Sequence, residues 1–403
     1  MEKELFQLAL NIQDPWFIDR IEFVPDEKRL DLWIDFIPGS EFECPECGRT
    51  ECKAYDTSKK TWRHLNFFQY KCYLHCRVPR VECKECGIHL AKVPWARKKS
   101  GFTLLLDSMI VLMAQKMSIS HVADLLEEHD TRIFRVVKHY VGEAREREDF
   151  SNVSTIGVDE TSCKKGHRYI TVVADMDTSK VIYLTEGKDA ATISRFKSDF
   201  SGHLGIPANI SQACCDMSPA FIRGITDNFP DSHITYDKFH VMKIMSEAVD
   251  EVRREEQAEN ALLKNTRYIW LKNQCNLTKK QLKKLGSLKD MNLKTMRAYN
   301  IKMSLQMFWS IDDKEAATKY LKKWYFWATH SRLDPVIKAA KTIKRHWNGV
   351  INFIDSKVTN GLLEGLNSSI QALKKGARGY QNTQNFMTMI YLRMGKLQFN
   401  LPI

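Results

Sequence analysis

The sequence predicts a multidomain chain of mixed α/β class: a cysteine-bearing β module, three short helices, and a larger α/β core interrupted by a large helical insertion. Three observations predict it. Two CxxCG knuckles, Cys44-Pro-Glu-Cys47-Gly and Cys83-Lys-Glu-Cys86-Gly, enclose residues that alternate between apolar and polar. From Ser154 the apolar period changes from helical to strand-like, and Asp159 and Asp216 each close a short apolar run. A helix-periodic segment over 241–352, too long for a loop, then precedes a last helix carrying Glu364.

Residues 1–95 read as a zinc-binding β module. IEFVPDEKRLDLWIDF alternates about a Pro-Asp turn, the pattern of a hairpin. Phe68, Tyr70, Cys72 and Leu74, then residues 77–81, read as strands. With 35 residues between the knuckles, Cys44, Cys47, Cys83 and Cys86 supply four thiolates for one tetrahedral zinc ion. Four thiolates leave no open coordination position, so this Zn²⁺ is expected to be structural. The glycine after each second cysteine permits the tight turn that points backbone amides at sulfur. Cys52, Cys72, Cys76, His64, His75 and His89 are expected to pack or face solvent.

Residues 96–148 read as a helix-turn-helix DNA-binding domain. Leu104, Leu105, Met109, Leu112 and Met113 mark the first helix. Ser118 or Ser120 caps the second, whose apolar face is Val122, Ala123, Leu125 and Leu126. Asp130 caps the third, with Ile133, Phe134, Val137 and Val141 inward and Arg132, Arg135, Lys138 and His139 outside. A basic last helix suits the major groove, although a plain three-helix packing unit would show the same pattern. The basic run 92–99 reads as a linker able to touch phosphates.

The core begins with TIGVD, a strand ending in Asp159, followed by a basic turn with Lys165, His167 and Arg168. YITVVAD and VIYLT are strands, ATISRFKSDFSGHL is helical, and ANISQACCD is a strand ending at Asp216. Ser218-Pro219 starts a helix with Pro at N1, and SHITYD closes at Asp237. Three strands, a helix, a strand, a helix and a strand, then a late acidic helix, is the order of the ribonuclease-H-like fold. It divides the catalytic core into 149–240 and 353–403 around the insertion. The tryptophans at 270, 309, 324, 327 and 347 recur at helical spacings and read mostly as core. Asn360, Glu364 and Asn367 share one helix face. Carboxylates converging at strand ends and on a facing helix bind hard divalent cations. A pair of such ions supports in-line phosphoryl displacement.

The chain has 403 residues and a formal net charge of +12. Residues 240–350 hold 23 Lys and Arg against 11 Asp and Glu, so this segment carries the whole excess. That points to a polyanionic partner, against the alternative of a solvated helical surface. The longest apolar run, MIVLMA, has six residues, far from the roughly 20 of a membrane span. Eleven cysteines without a signal-peptide pattern favour thiols and metal over disulfides, and a cytoplasmic location is expected.

GVDET with KGHRY, DMSPAF, YDKFHV, RYIWLKN with NLT, and TNGLLEGLNSSIQALKKGARGY follow one another behind the CxxC…CxxC module and the helix-turn-helix. In this order they resemble bacterial insertion-sequence transposases of the DDE class and are most similar to the ISL-three family, over almost the full length. The resemblance implies Asp159, Asp216 and Glu364 as the catalytic triad and two Mg²⁺ or Mn²⁺ ions as cofactor. It implies binding of double-stranded DNA at the terminal inverted repeats, strand cleavage, and transfer of the freed 3′-hydroxyl to target DNA. Holding two element ends together implies a homodimer in the synaptic complex, associated with the nucleoid when bound to DNA. Lys165, His167, Arg168, Lys374, Lys375 and Arg378 join the helix-turn-helix cations as candidate DNA contacts. Asp237 and His240 are accessory candidates, while Asp175 and Asp177 read as turn residues. A catalytically inert regulator and a structure-selective repair nuclease are the competing readings.

Overall fold

The structure, a computed structural model, describes residues 2–164, 166–289, 291–357 and 361–402. The chain forms two compact units, Met1–Ala144 with Gln398–Ile403, and Arg145–Leu397.

The first unit opens with α1 (Glu2–Ala9) and six strands: β1 (Trp16–Val24), β2 (Arg29–Phe36), β3 (Glu41–Phe42), β4 (Cys52–Arg63), β5 (Lys71–Cys83) and β6 (Gly87–Leu90). They order as β1-β2-β5-β4-β3, with β6 on β5. The Pro-Asp turn closes the β1–β2 hairpin as expected, with Val24 opposite Arg29. The alternating stretch is a single strand, β5, parallel to β2 and antiparallel to β4. Phe68 and Tyr70 lie before it, a correction to the reading above. Phe68 has φ +52°, which breaks the extended backbone there. Trp16, Trp62 and Trp95 pack edge to face, with ring centroids 5.1 Å (Trp16–Trp95) and 5.7 Å (Trp62–Trp95) apart. Trp95 and Ala96 are thus core residues, and Arg97 donates to buried Asp107 at 2.6 Å. Residues 92–99 are therefore anchored chain rather than a linker, although Lys92, Lys98 and Lys99 remain exposed.

Three helices follow: α2 (Leu104–Ala114), α3 (Ile119–Leu126) and α4 (Asp130–Glu146). Ser118 caps α3, accepting from the His121 N–H. Asp130 lies inside the first turn of α4, and it is His129 whose ring Nδ1 accepts from the Thr131 N–H. The apolar residues that mark α2 are not its buried face. Leu105, Met109 and Leu112 are exposed, while Leu106, Ile110, Val111 and Ala114 are buried with Asp107 and Ser108. LLLDSMIVLMA is apolar nearly all round, so periodicity cannot choose its buried face.

The second unit holds β7 (Thr155–Lys164), β8 (Arg168–Asp175), β9 (Lys180–Glu186), α5 (Ala190–Gly202), β10 (Gln212–Cys215), α6 (Pro219–Asn228) and β11 (His233–Tyr236). The sheet order is β11-β10-β7-β8-β9. β7, β8 and β9 are antiparallel, and β10 is parallel to both β7 and β11. The parallel pair β10–β11 requires a crossover, which α6 supplies. Val158, Val173, Ile182 and Cys215 join Phe196, Phe200, Phe221 and Phe229 of the crossing helices and their loops in one core.

A run of helices follows: α7 (Lys238–Gln257), α8 (Arg267–Leu271), α9 (Lys279–Lys289), α10 (Lys294–Phe308), α11 (Lys314–Thr329), α12 (Asp334–Arg345) and α13 (Trp347–Ser356). Trp270 and Trp324 are fully buried with satisfied indoles, donating to Thr266 Oγ1 and to the Ile301 carbonyl, each at 2.9 Å. Trp309 is also buried, whereas Trp327 is exposed. α14 (Gly361–Gly376) and α15 (Thr383–Met394) complete the unit.

Candidate active site

In the first unit, the Sγ atoms of Cys44, Cys47, Cys83 and Cys86 all lie within 4.8 Å of one another, the one such metal-sized group among the described residues. Cys47 and Cys83 are 3.6 Å apart, close to the roughly 3.8 Å edge of a tetrahedron with Zn–S bonds of about 2.3 Å. Gly48 and Gly87 have φ of +72° and +83°, the left-handed turns the knuckles need. The Glu85 and Cys86 amides hold the Cys83 thiol down at about 6, while neighbouring Cys47 pushes Cys86 up to about 12. Such opposed shifts arise because crowded thiols cannot all ionise together. A dication removes that conflict, so the donor set fits zinc. Cys52, Cys72 and Cys76 are buried in the adjoining core, and His75 is spent on Asp31 at 2.5 Å and on stacking with Trp33.

In the second unit, register brings three aspartates to equivalent places. Val158, Cys215 and Tyr236 align across the parallel strands. Asp159, Asp216 and Asp237 are the next residue on each. Asp159 does not end its strand as the sequence suggested. β7 runs on to Lys164 because it continues to pair with β8; what stops after Val158 is the parallel pairing with β10. Burial pushes the Asp159 carboxyl up to about 6, against a 2.7 Å bond from the Glu160 N–H, and the charge of Asp216 raises it further. Two carboxylates close enough to perturb each other, with one part-buried, are the setting in which a cation is favoured. Asp216 accepts from the Ser218 N–H at 2.9 Å, at the start of α6. Asp237 is fully buried. One oxygen faces His240 Nδ1 at 3.2 Å and the other has no partner among the described residues. The His240 pKa is raised, first by the Asp237 bond, with the charges of Asp216 and Asp159 adding to it.

α14 covers this face of β7. Asn367 donates to Asp159 Oδ2 at 2.6 Å, Gln371 to Thr161 Oγ1 at 2.7 Å and Lys374 to the Ser162 carbonyl at 2.9 Å. The i, i+4, i+7 spacing puts all three on one stripe. Glu364 lies one turn before Asn367, exposed, without a hydrogen bond or ion pair among the described residues. Asn367 lies on the Glu364 face read from the sequence, whereas Gln371 escaped the search for charged side chains; the helical stripe it shares with Asn367 and Lys374 was the signal. Asn367 Oδ1, like Asp237 Oδ1, is a buried acceptor without a donor among the described residues. Buried orphan oxygens beside converging carboxylates fit an oxygen-seeking divalent cation. Asn360 lies outside the described residues.

Glycine is required where α14 meets β7. A Cβ on Gly157 would stand 2.4 Å from Met176 Sδ and 2.8 Å from Leu363 Cδ1. Gly157→Val is expected to push α14 away and cost about 1–3 kcal/mol by overpacking. Thermal unfolding would measure the cost. A catalytic assay should show loss beyond what the folded fraction explains, and wild-type turnover in this variant would show that α14 need not seat on β7.

The predicted DNA contacts divide. Arg135 and Lys138 are exposed on α4. Arg132 is engaged with Glu128 and lies over the Phe102 ring at 4.2 Å, and His139 is 3.4 Å from Glu143. His167, Arg168, Lys375 and Arg378 are exposed, whereas Lys374 is tied to β7. Lys165 lies outside the described residues. Glu160 turns to Lys188 at 3.3 Å. Asp175 is buried at the end of β8 and accepts from the Asp177 N–H at 3.0 Å.

Residues 156–390, more than half of the chain, match the transposase domain of the ISL3 family. The chain belongs to the ISL3 transposases. Residues 91–141 of the transposase match the helix-turn-helix domain of that family. Residues 40–86 match the zinc finger of the transposases of IS204, IS1001, IS1096 and IS1165, so the four-cysteine cluster is its structural zinc site. The transposase of insertion sequence element IS1557 from Mycobacterium tuberculosis is 28% identical over 433 residues, covering 99% of this chain and 97% of that protein. The transposase of insertion sequence element IS1001 from Bordetella parapertussis is 25% identical over 383 residues, covering 93% and 94%. This transposase is thus a DNA-binding enzyme of the DDE group. Among its described residues no helix is long and apolar enough to cross a membrane.

Proposed function

We propose that this transposase binds the terminal inverted repeats of its insertion sequence and carries out metal-dependent strand cleavage and strand transfer at Asp159, Asp216 and Glu364. The observation that carries the reading is the convergence of Asp159 and Asp216 at one register level of adjacent parallel strands, under the α14 face that bears Asn367. The strand order and the late acidic helix favour a ribonuclease-H-like core, with 241–352 as a helical insertion between 149–240 and 353–403. Residues 1–95 would form the zinc module and 96–148 the helix-turn-helix domain.

Asp159 and Asp216 would hold Mg²⁺ or Mn²⁺, with Glu364 completing the set once DNA draws its exposed carboxylate inward. The ions, when bound, would activate water or a 3′-hydroxyl and stabilise the leaving oxygen. The chain's own residues position. Asn367 holds Asp159 by its Oδ2 and so keeps that carboxylate turned toward α14. The Ser218 amide holds Asp216 in the same way. Asp237 orients His240 beside the two carboxylates. Arg135 and Lys138 suit groove or phosphate contact, and His167, Arg168, Lys375 and Arg378 suit the strands nearer the reaction centre. Two chains would hold two ends.

Purified protein with its element-end duplex and Mg²⁺ tests the reading. Nicking at the element boundary followed by joined products with target DNA is expected. Specific binding without metal-dependent nicking would favour the inert regulator, and cleavage without joined products or end preference would favour the repair nuclease.

A further inference from the structure

We propose that a cleft along α7 takes an unpaired stretch of DNA strand leading from the reaction centre. The proposal deepens the reading of Asp159 and Asp216 as that centre and rests on it for the identity of the strand. The cleft has a volume of about 1070 Å³ and lies between α7, the segment around α8, and α10. It begins beside the acidic cluster, because Lys238 and Phe239, the first residues of α7, line it directly after Asp237.

Its lining is cationic. Glu247 and Asp250 are its acids, and Asp250 already has Arg253, Arg267 and Arg254 around it at 2.8, 3.3 and 3.8 Å. Lys243 and Lys272 line the wall with no ion pair among the described residues. Lys302 forms part of the floor in a structural role, donating to the Trp270 and Leu271 carbonyls at 3.1 and 2.6 Å. In the same lining Phe239 is 50% exposed. An exposed aromatic face within a positive groove is the combination that binds single strands: phosphates track the cations and a base stacks on the ring. The volume matches the largest small-molecule pockets, on the order of 1,000 Å³. It has room for a few unpaired nucleotides and none for a duplex turn. A strand that unpairs after cleavage at the centre would first meet Lys238, the residue next to Asp237.

The test measures fluorescence anisotropy of a labelled oligothymidine and of a duplex element end, with full-length protein and no added Mg²⁺. Phe239→Ala is expected to weaken oligothymidine binding about tenfold. Lys243→Glu with Lys272→Glu is expected to weaken it as much and to flatten its salt dependence. Duplex binding should move less than twofold. All altered residues are at least partly exposed, and unchanged melting curves would confirm folding. Oligothymidine binding at wild-type strength in both variants would overturn the proposal, as would equal losses for the two DNAs. Because the assay needs no cleavage, a wild-type protein that nicks while both variants bind normally sinks this inference alone. A protein that binds through the cleft yet never nicks sinks the reading of the reaction centre instead.

Discussion

Asp159→Asn is expected to lower strand cleavage by on the order of 10³-fold or more, while binding to an element end stays within about twofold of wild type. The substitution keeps the shape of the side chain and removes its charge. It has a second expected consequence that a merely structural role would not produce. In the fold the Asp159 carboxyl is raised to about 6 by burial, above its ordinary value of 3.8. The folded state therefore favours the proton: this group's favourable contribution is present below pH 3.8 and lost as pH rises through 6. At pH 8 the buried carboxylate burdens the fold by up to about 3 kcal/mol. Asparagine has no such burden. The variant should unfold at a higher temperature than wild type at pH 8, and the gap should close toward pH 4. Wild type should gain stability from added Mn²⁺ in thermal unfolding, and the variant should not. Asp216→Asn and Glu364→Gln should also abolish cleavage. A Glu364→Gln enzyme that cuts normally would remove that residue from the triad, and Asn367 or Asp237 would become the next oxygen donor to test.

Removing zinc is expected to unfold the first unit. Structural zinc contributes about 10–16 kcal/mol at neutral pH in zinc-finger peptides, as much as the whole stability of a typical domain, about 5–15 kcal/mol. Cys44 is fully buried and its N–H bonds to the Arg49 carbonyl at 2.7 Å, so Cys44→Ser loses both a ligand and the packing around the knuckle. Metal analysis should find about one zinc per chain in wild type and little in Cys44→Ser. Calorimetry should show the transition of Met1–Ala144 lost and that of Arg145–Leu397 kept. Cys72→Ala and Cys76→Ala should retain zinc, because both thiols lie in the β-sheet core outside the cluster. A Cys44→Ser protein with full zinc content would refute the four-cysteine site.

Much of the fold was legible because its signals are local. The Pro-Asp hairpin, the Ser118 cap and Pro219 at N1 each depend on residues within a few positions of one another. β4 was missed because CKAYDTSKKTWR is largely polar and exposes most of its length, so it carries little apolar alternation. Residues 92–99 misled because their exposed lysines suggested a free linker, while Trp95 is held by Trp16 and Arg97 by Asp107. Asp159 looked like a strand end because its apolar run stops there. Backbone pairing with β8 continued regardless, since hydrogen bonds do not require apolar side chains.

The amino-acid sequence alone determined the four zinc ligands and the order of elements from β7 to β11, because knuckle spacing and hydrophobic period act over short stretches of chain. Tertiary structure alone decided which acids meet. Asp159, Asp216 and Asp237 become neighbours through the register of three parallel strands, and Asn367 reaches Asp159 from 208 residues away. Register is set by packing between distant segments, and no local pattern encodes it.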